Sequence, residues 1–329
     1  MPEVKEDISV QEAKKCADTI IKVKAEIGKV LVGQEKIVDG LMKGLLCDGH
    51  ILVEGVPGVA KTLAVLALGA AIGCESKRIQ FTVDLLPSDI VGLTSFTPGK
   101  GFDTIKGPIF TNFLLADEIN RSPPKTQSAL LEAMQEKKVT IGKETYALPR
   151  PFFVMATENP LEVSGVYFLP EAQIDRFLFK ILMGYPNKDD ERKIIRQNMT
   201  LRPFEDYGLK AVASPQKLIE MQEITRRVYT SPEIERYIVD IVHLTRQKTG
   251  YEEAKYVEWG GSPRASIGLF IASKAQALIS GRKFVVPDDV KKVAYDVLRH
   301  RMILNYAAQA EGISADSIIS KILEIVEAP

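Results

Sequence analysis

Short apolar runs alternate with helical stretches along the first part of the chain, up to about residue 186. Runs of this length predict buried β-strands, and the intervening helical stretches predict connections between parallel strands. Five runs fit the pattern: Ile51–Glu54, Ile79–Val83, Phe113–Asp117, Phe152–Ala156 and Phe179–Met183. The pattern therefore predicts an α/β fold in which a five-stranded, mainly parallel sheet is covered by helices on both faces.

Beyond Tyr185 and Pro186 the pattern changes to helical periodicity with almost no strand-like run. Ser-Pro pairs, which indicate an N-cap followed by proline at the first helical position, recur at Ser214-Pro215, Ser231-Pro232 and Ser262-Pro263. We therefore predict three segments: an N-terminal extension at residues 1–29 with a helix from about Gln11, an α/β domain at residues 30–186, and a smaller helical domain at residues 187–329.

Two segments of the α/β part have the turn chemistry of β-hairpins. Leu93 to Gly107 carries Thr-Pro-Gly-Lys-Gly-Phe between short apolar flanks, and Lys138 to Leu148 carries Gly-Lys-Glu-Thr between two short runs. The hairpins are either surface decoration or the moving parts that contact a client, and the sequence leaves both readings open.

A glycine-rich loop lies between the first predicted strand and a helix predicted over Leu63–Ala71. Such a loop binds phosphate through its backbone N–H groups and the helix N-terminus, while Lys61 reaches the outer phosphates and Thr62 can ligate magnesium. Ala60 stands where glycine is usual, so we expect it to avoid φ > 0. The alternative is a strand–turn–helix that carries these residues by coincidence. The predicted nucleotide contacts in the loop are Gly55, Val56, Pro57, Gly58, Val59, Ala60, Lys61, Thr62 and Leu63.

Two adjacent carboxylates, Asp117 and Glu118, end the predicted strand that begins at Phe113. Ligands bind at the carboxyl ends of parallel strands, so we expect this pair beside the glycine-rich loop. Asp117 is then suited to hold Mg²⁺ together with Thr62, and Glu118 to polarise the attacking water. Without the loop, the pair would indicate only a solvated strand end.

Three further polar residues are candidates for the nucleotide site. Asn159 follows the predicted strand Phe152–Ala156 and could position the same water or contact the γ-phosphate, although Asn-Pro also favours a simple turn. Arg176 ends a short helix predicted over Pro170–Phe177, and Arg264 lies in the first turn of a later helix. An arginine opposite a γ-phosphate neutralises charge in the transition state. Spacing alone does not single out these two arginines.

Composition narrows the class of protein. The chain has 329 residues, and 43 Lys and Arg balance 43 Asp and Glu, so net charge gives no case for nucleic acid or an anionic membrane. The three cysteines are widely spaced and lack a metal-ligand pattern. The N-terminus lacks the apolar region of a signal peptide, and no run approaches the roughly 20 residues that span a bilayer. These features predict a soluble, cytoplasmic protein with no membrane contact.

Together the motifs resemble those of the AAA+ ATPases and, more narrowly, of the MoxR family. The loop at residues 55–62, with its alanine, is similar to a form found in that family. Three stretches are more specific to it: residues 114–136, 156–160 and 169–177. The resemblance runs from about Val30 to the end of the chain. It implies a P-loop NTPase (AAA+) core followed by a smaller all-α lid domain.

The resemblance implies nucleotide-binding roles for the residues that match the family motifs. Val32 and Gly33, with Gln34, resemble the segment that passes the adenine ring. Walker A corresponds to the loop that ends in Lys61 and Thr62, and Walker B to the carboxylate pair at residues 117 and 118. The implied cofactors are ATP and Mg²⁺, and the implied activity is ATP hydrolysis.

The resemblance also implies roles for the remaining polar candidates. Asn159 matches sensor 1, and Arg264 matches sensor 2, which reports the nucleotide state to the lid. Arg176 matches the arginine finger, which acts on the ATP of a neighbouring subunit. Arg121, just past Walker B, is a second choice for an arginine that acts across the subunit boundary.

MoxR-like proteins are regarded as chaperone-like motors that help to assemble or activate particular complexes, in some cases by metal insertion. The resemblance implies a ring, most simply a hexamer, that acts on a client complex with a partner carrying a von Willebrand factor A domain. Two alternatives stay open: a DNA-associated motor of the helicase or recombination type, and a slow nucleotide-dependent scaffold. Nucleic acid is disfavoured by the neutral net charge, yet the hairpins carry Lys100, Lys106, Lys137, Lys138 and Lys143.

Overall fold

A computed structural model describes residues 8–56, 58, 60–99, 101–160, 165–197 and 204–329. Tertiary contacts divide the chain into two compact units. The α/β unit contains Ile21–Phe177 and Ile181–Ile219, and the helical unit contains Met1–Ile20, Leu178–Lys180 and Glu220–Pro329. Among the residues described, no helix is both long and apolar enough to cross a membrane.

The α/β unit is built on a five-stranded sheet. Its strands are β1 (Ile51–Gly55), β2 (Ser76–Gln80), β5 (Phe113–Asp117), β8 (Phe153–Glu158) and β9 (Phe179–Met183), of which Phe179 and Lys180 are grouped with the helical unit. Their order in the sheet is β2-β5-β8-β1-β9, and the pairs β2–β5, β5–β8 and β1–β8 are parallel. The predicted five-stranded α/β fold is confirmed. The parallel order brings the carboxyl ends of β1, β5 and β8 to one edge.

The predicted position of the second strand was wrong. We expected Ile79–Val83, whereas β2 covers Ser76–Gln80 and pairs residue by residue with β5. The chain leaves the sheet after Gln80, where the Phe81 N–H donates to the Asp117 carbonyl. Because β2 is an edge strand, polar side chains at its start are tolerated, and an apolar run does not mark its limits.

Helices cover the sheet and surround an apolar core. Those of the α/β unit are α2 (Glu35–Leu46), α3 (Lys61–Ile72), α4 (Pro87–Val91), α5 (Pro124–Glu136), α6 (Glu171–Ile174) and α7 (Lys188–Gln197). Leu52, Leu114 and Val154 of the central strands belong to one buried cluster with Leu130 and Met134 of α5. The packing of this core holds β1, β5 and β8 in place, and with them the edge formed by their carboxyl ends.

Both predicted hairpins are confirmed as antiparallel pairs. One consists of β3 (Gly92–Thr97) and β4 (Gly101–Lys106), and the other of β6 (Lys138–Ile141) and β7 (Glu144–Ala147). The Tyr146 hydroxyl donates to Thr104 Oγ1 at 3.2 Å, so the two hairpins touch each other. Lys100, one of the hairpin lysines, lies outside the described residues.

The helical unit contains the later helices, and all three predicted Ser-Pro starts are confirmed. Its helices are α8 (Pro215–Arg226, which begins in the α/β unit), α9 (Pro232–Leu244), α10 (Pro263–Ile279), α11 (Pro287–Leu298), α12 (Tyr306–Ala310) and α13 (Ala315–Ile325). Ser214, Ser231 and Ser262 each accept a backbone N–H two or three residues later. A short antiparallel pair, β10 (Val257–Trp259) and β11 (Ile303–Leu304), adds strand structure to a region predicted to be all-α.

The division by contacts differs from the boundary predicted near Pro186. The backbone N–H of Lys210 donates to Glu26 Oε1 at 2.7 Å, and that of Val212 donates to the Ala71 carbonyl at 2.8 Å, so this stretch packs on the α/β unit. At the other end, α1 (Val10–Ile27) runs through both units. The first half of the predicted N-terminal extension therefore groups with the helical unit.

Candidate nucleotide-binding site

The glycine-rich loop joins β1 to α3 and enters the helix in a left-handed conformation. Gly58 has φ +81°, and a Cβ added there would meet no described atom within 4 Å, so the loop leaves open space on this side. Ala60 is the N-cap of α3 with φ 64° and ψ 30°. Pro57 and Val59, both predicted nucleotide contacts, lie outside the described residues.

The expectation that Ala60 avoids φ > 0 was wrong. The turn requires a left-handed residue immediately before α3, and alanine accepts this conformation at a cost of about 1–2 kcal/mol. Residues held in such conformations cluster at functional sites, where the surrounding structure maintains the strain. The alanine loop thus keeps the backbone conformation that glycine usually supplies.

Lys61 is the first residue of α3, and its ammonium group lies inside the loop. Nζ donates to the Gly55 carbonyl at 2.5 Å and lies 3.4 Å from the Glu158 carbonyl. Burial lowers the pKa of Lys61, and the nearby charges of Asp117 and Glu118 oppose that shift. A partly desolvated ammonium group at a helix N-terminus is a strong partner for an anion.

Asp117, the last residue of β5, is held by residues from both neighbouring strands. Its Oδ1 accepts a hydrogen bond from Thr157 Oγ1 at 2.6 Å. Its Oδ2 accepts from Arg78 Nε at 3.0 Å and from Arg78 Nη2 at 2.7 Å. These contacts fix the orientation of the carboxylate toward the edge of the sheet.

Glu118 lies just past the strand, in a left-handed conformation with φ 56°. Its backbone N–H donates to Thr157 Oγ1 at 2.9 Å, so one hydroxyl contacts both acidic residues. Its Oε2 accepts from Gln80 Nε2 at 2.6 Å and pairs with Arg121 Nη1 at 3.2 Å. A glutamate in this strained conformation is a sign of a functional constraint.

A cavity of about 420 Å³ opens where the loop meets the carboxylates. Its volume lies in the range of ligand sites. It is lined by Gly58, Ala60, Lys61, Thr62, Leu63, Leu66, Asp117, Glu118 and Asn159. The structure thus brings together one ammonium group, one hydroxyl, two carboxylates and one amide. A hydroxyl and carboxylates are oxygen donors that suit Mg²⁺, so Thr62 and Asp117 fit the predicted metal role.

The other predicted site residues lie elsewhere. Val32 and Gly33 line a separate hollow of about 340 Å³ in the α/β unit, where a Cβ on Gly33 would come within 2.5 Å of Asp190 Oδ2. Arg176 is exposed and follows α6, which is shorter than the predicted helix. Arg264 is exposed in the first turn of α10, in the helical unit.

Sequence reasoning missed three residues that contact the carboxylates: Arg78, Gln80 and Thr157. Arg78 and Gln80 share one face of β2, and the misplaced strand left Arg78 outside the predicted element. Thr157 is a fully buried polar residue that follows four apolar residues in β8. A polar residue directly after an apolar run is the sequence signal that could have indicated a role for Thr157.

Comparison with known proteins agrees with this geometry. Residues 50–179 match the model of the ATPase family associated with various cellular activities, and residues 251–322 match an AAA lid domain. Chaperone MoxR1 of Mycobacterium tuberculosis is 47% identical over 308 residues, which cover 92% of this chain and 81% of that protein. An uncharacterised Bacillus subtilis protein, YeaC, is 46% identical and covered to 92% on both sides.

A solved structure is also similar over nearly the whole chain. The crystal structure of a candidate ATPase from Cytophaga hutchinsonii superposes with a TM-score of 0.89 at 46% identity, and 97% of each chain is covered. The matches to the ATPase family model, to the lid-domain model and to the solved structure therefore indicate the same family as the motifs around the cavity. This chain belongs to the MoxR family of AAA+ ATPases.

Proposed function

We propose that this chain hydrolyses MgATP in the cavity between the glycine-rich loop and the carboxylates, and uses the cycle to assemble or activate a partner complex. One observation carries the proposal: Lys61 and Thr62 of the loop share a single cavity with Asp117, Glu118 and Asn159. Membership of a chaperone-like ATPase family supports the same activity.

The chain's own residues would divide the chemistry among them. Lys61 would pair with the outer phosphates, which the backbone of the loop would also contact. Thr62 and Asp117 would hold Mg²⁺, which when bound supplies charge neutralisation to the phosphates. Because Gln80 and Arg121 both contact Oε2 of Glu118, we assign Oε1 as the oxygen that takes a proton from the attacking water. The Asn159 amide would orient that water.

The roles of the arginines rest on the family resemblance. We propose that the chain forms a ring, most simply a hexamer, in which Arg176 of one subunit stabilises the transition-state charge at a neighbour's ATP. Arg121 is the second choice, and its ion pair with Glu118 gives it a position close to the base. We further propose that Arg264 couples the lid, residues 187–329, to the core, residues 30–186. Loss of Arg264 by substitution with alanine should then change both ATPase rate and nucleotide affinity.

The hydrolysis step is tested first with Glu118→Gln. We expect ATP binding to be retained and turnover to fall by about 10²–10⁴-fold, because the base is lost while the metal ligands remain. Glu132→Gln, an exposed glutamate of α5, is the matched control and should keep the wild-type rate. Retention of more than about a tenth of the rate in Glu118→Gln would mean that another group activates the water.

The chaperone role is tested by using Glu118→Gln as bait in excess MgATP in a lysate of the native cell. Recovery of a protein with a von Willebrand factor A domain together with a metalloenzyme or other client subunit would support the assembly function. Recovery of nuclease-sensitive replication or repair proteins would support the DNA-associated motor instead. DNA binding by a motor of that kind should weaken steeply with salt.

A further inference from the structure

Gln127 of α5 is fully buried, and its side-chain amide lies among three backbone carbonyl groups. Nε2 is 3.2 Å from the Ile119 carbonyl oxygen, 3.1 Å from that of Ser122 and 3.0 Å from that of Tyr167. An amide nitrogen has two hydrogens, so three acceptors share two donors. This residue lies outside the cavity described above.

The orientation of the Gln127 amide is fixed by these neighbours, because the flipped amide would place its oxygen against three carbonyl oxygens. In the observed orientation Oε1 is buried and has no hydrogen-bond partner in the part of the chain that the structure describes. An unmet buried carbonyl oxygen costs stability, and such groups call for an explanation. The hydrogen bonds that Nε2 donates are therefore the explanation for a glutamine at this buried position.

The three carbonyl groups belong to two segments that both begin at the site. Ile119 and Ser122 bound the turn directly after Glu118, and this turn contains Arg121, whose N–H donates to the Glu118 carbonyl at 2.9 Å. Tyr167 lies in the segment that leads from Asn159 toward Arg176. A second bond joins the same two segments, since the Tyr167 N–H donates to the Asn120 carbonyl at 2.7 Å.

We propose that Gln127 is a positioning residue that clamps the turn after Glu118 to the segment around Tyr167. It acts through the backbone of the turn, so it sets where the Glu118 carboxylate and the Arg121 guanidinium lie. The amide of Gln127 bonds to Ile119, Ser122 and Tyr167, and none of these belongs to the glycine-rich loop that contains Lys61. The clamp should therefore affect the rate of hydrolysis and leave nucleotide affinity unchanged. This inference rests on the proposed ATPase function.

The test compares Gln127→Leu, which keeps an apolar body of similar size and loses the amide, with the wild type. We expect kcat to fall about 10- to 100-fold, the effect of a misplacement of about 1 Å, while the Kd for a fluorescent ATP analogue stays within about twofold. Gln222→Leu is the matched control, because Gln222 is a buried glutamine of α8, and it should leave kcat unchanged. A fall in affinity equal to the fall in kcat, or an unchanged kcat, would overturn the proposal.

Hydrogen exchange of the nucleotide-free protein gives a readout that needs no hydrolysis. In Gln127→Leu we expect faster exchange in peptides that cover residues 113–123 and 165–177, and unchanged exchange in α3. Unchanged exchange in both peptides would refute the clamp. If the wild type fails to hydrolyse ATP, the proposed function is wrong, and exchange alone still decides whether the clamp exists.

A second variant guards against a folding defect in Gln127→Leu. Gln127→Glu keeps the shape and can donate only when its carboxyl group is protonated. Its kcat relative to the wild type should therefore rise as pH falls, and exchange of the two peptides, compared with the wild type at the same pH, should become slower as pH falls. A ratio that does not change with pH would count against the clamp.

Discussion

The guanidinium group of Arg78 lies against the carboxylate of Asp117, with Nη2 2.7 Å and Nε 3.0 Å from the same oxygen, Oδ2. In the register of β2 with β5, Gln80 lies opposite Asp117 and Arg78 lies opposite Leu115, so the Arg78 side chain reaches along the strand to the carboxylate. The proposed magnesium ligand therefore has a permanent positive charge beside it. Charge of the same sign as the metal raises the metal concentration needed for binding.

Replacement of that charge gives the first prediction. Arg78→Gln should lower the Mg²⁺ concentration for half-maximal ATPase activity by roughly two- to fivefold at low ionic strength, because the Arg78 side chain is 46% exposed and solvent screens it. The difference should shrink in about 0.5 M salt. Lys77→Gln changes the same charge on the same strand at a side chain that pairs with Glu75, and should have no such effect. A higher Mg²⁺ requirement in Arg78→Gln would contradict this prediction and mean that lost orientation of Asp117 outweighs the relief of charge repulsion.

Removal of the loop ammonium group gives the second prediction. Lys61→Ala should weaken ATP binding by about 10- to 100-fold, because hydrogen bonds to charged groups are worth about 1.5–3 kcal/mol. Equilibrium titration with a fluorescent nucleotide measures this change. Lys125→Ala, at an exposed lysine of α5, should bind like the wild type. Equal affinities for Lys61→Ala and wild type would refute the assignment of the loop.

The left-handed alanine gives the third prediction. Ala60→Gly should stabilise the protein by about 0.5 kcal/mol, since relief of the left-handed strain outweighs the greater freedom of glycine in the unfolded chain. Ala64→Gly, the same substitution inside α3, should destabilise by about 1 kcal/mol. Urea unfolding of both variants provides the comparison. Destabilisation of both to the same extent would mean that position 60 is not under backbone strain.

A buried histidine gives the fourth prediction, which concerns stability against pH. His50 Nδ1 accepts the Val154 N–H at 3.0 Å, and Nε2 lies 3.0 Å from the Met134 carbonyl, so the neutral ring donates from Nε2. Burial lowers the pKa of His50 to about 4, with the hydrogen bond to Met134 acting in the opposite direction. Protonation of Nδ1 would break the bond from Val154.

Because the folded-state pKa of His50 lies below the unfolded value of about 6.5, the unfolded chain binds the proton first as pH falls. The stabilisation is complete above about pH 6.5 and is lost toward pH 4. We expect a loss of about 2 kcal/mol of unfolding free energy between about pH 7.5 and pH 5 from this residue. His50→Gln should remove that part of the pH dependence, whereas His243→Gln, at an exposed histidine, should retain it. Identical pH profiles for wild type and His50→Gln would contradict the assignment.

Most of the fold could be predicted because the central strands are buried on both faces. β5 was predicted at its observed limits, and β1 and β8 within two residues, since burial demands apolar side chains along most of each strand. β9, the edge strand on the other side of the sheet, was also predicted at its observed limits, because its buried positions Phe179, Ile181 and Met183 are all apolar. The edge strand β2 has no such demand, and its limits are set by pairing with β5. The division into units depends on long-range packing, such as that between Lys210 and Glu26, and no local pattern records it.

The candidate site was predicted where a side chain belongs to a contiguous motif. The loop and the pair Asp117 and Glu118 are of this kind, and they do line one cavity. Arg78, Gln80 and Thr157 reach the same carboxylates only through strand register, which becomes visible when the sheet is assembled. The φ of Ala60 was mispredicted because residue preference is a weaker determinant than the geometry of the turn.

The hydroxyl of Thr157 receives the backbone N–H of Glu118 and gives its own hydrogen to Asp117. Its single hydrogen is committed, so donation runs in one direction, from the backbone of one acidic residue to the side chain of the other. A change in the charge on Asp117 therefore changes the strength of the hydrogen bond that the Glu118 N–H donates to Thr157. The proposed metal ligand and the proposed base are thus coupled through one hydroxyl group, and substitutions at either residue should be judged by their effect on both.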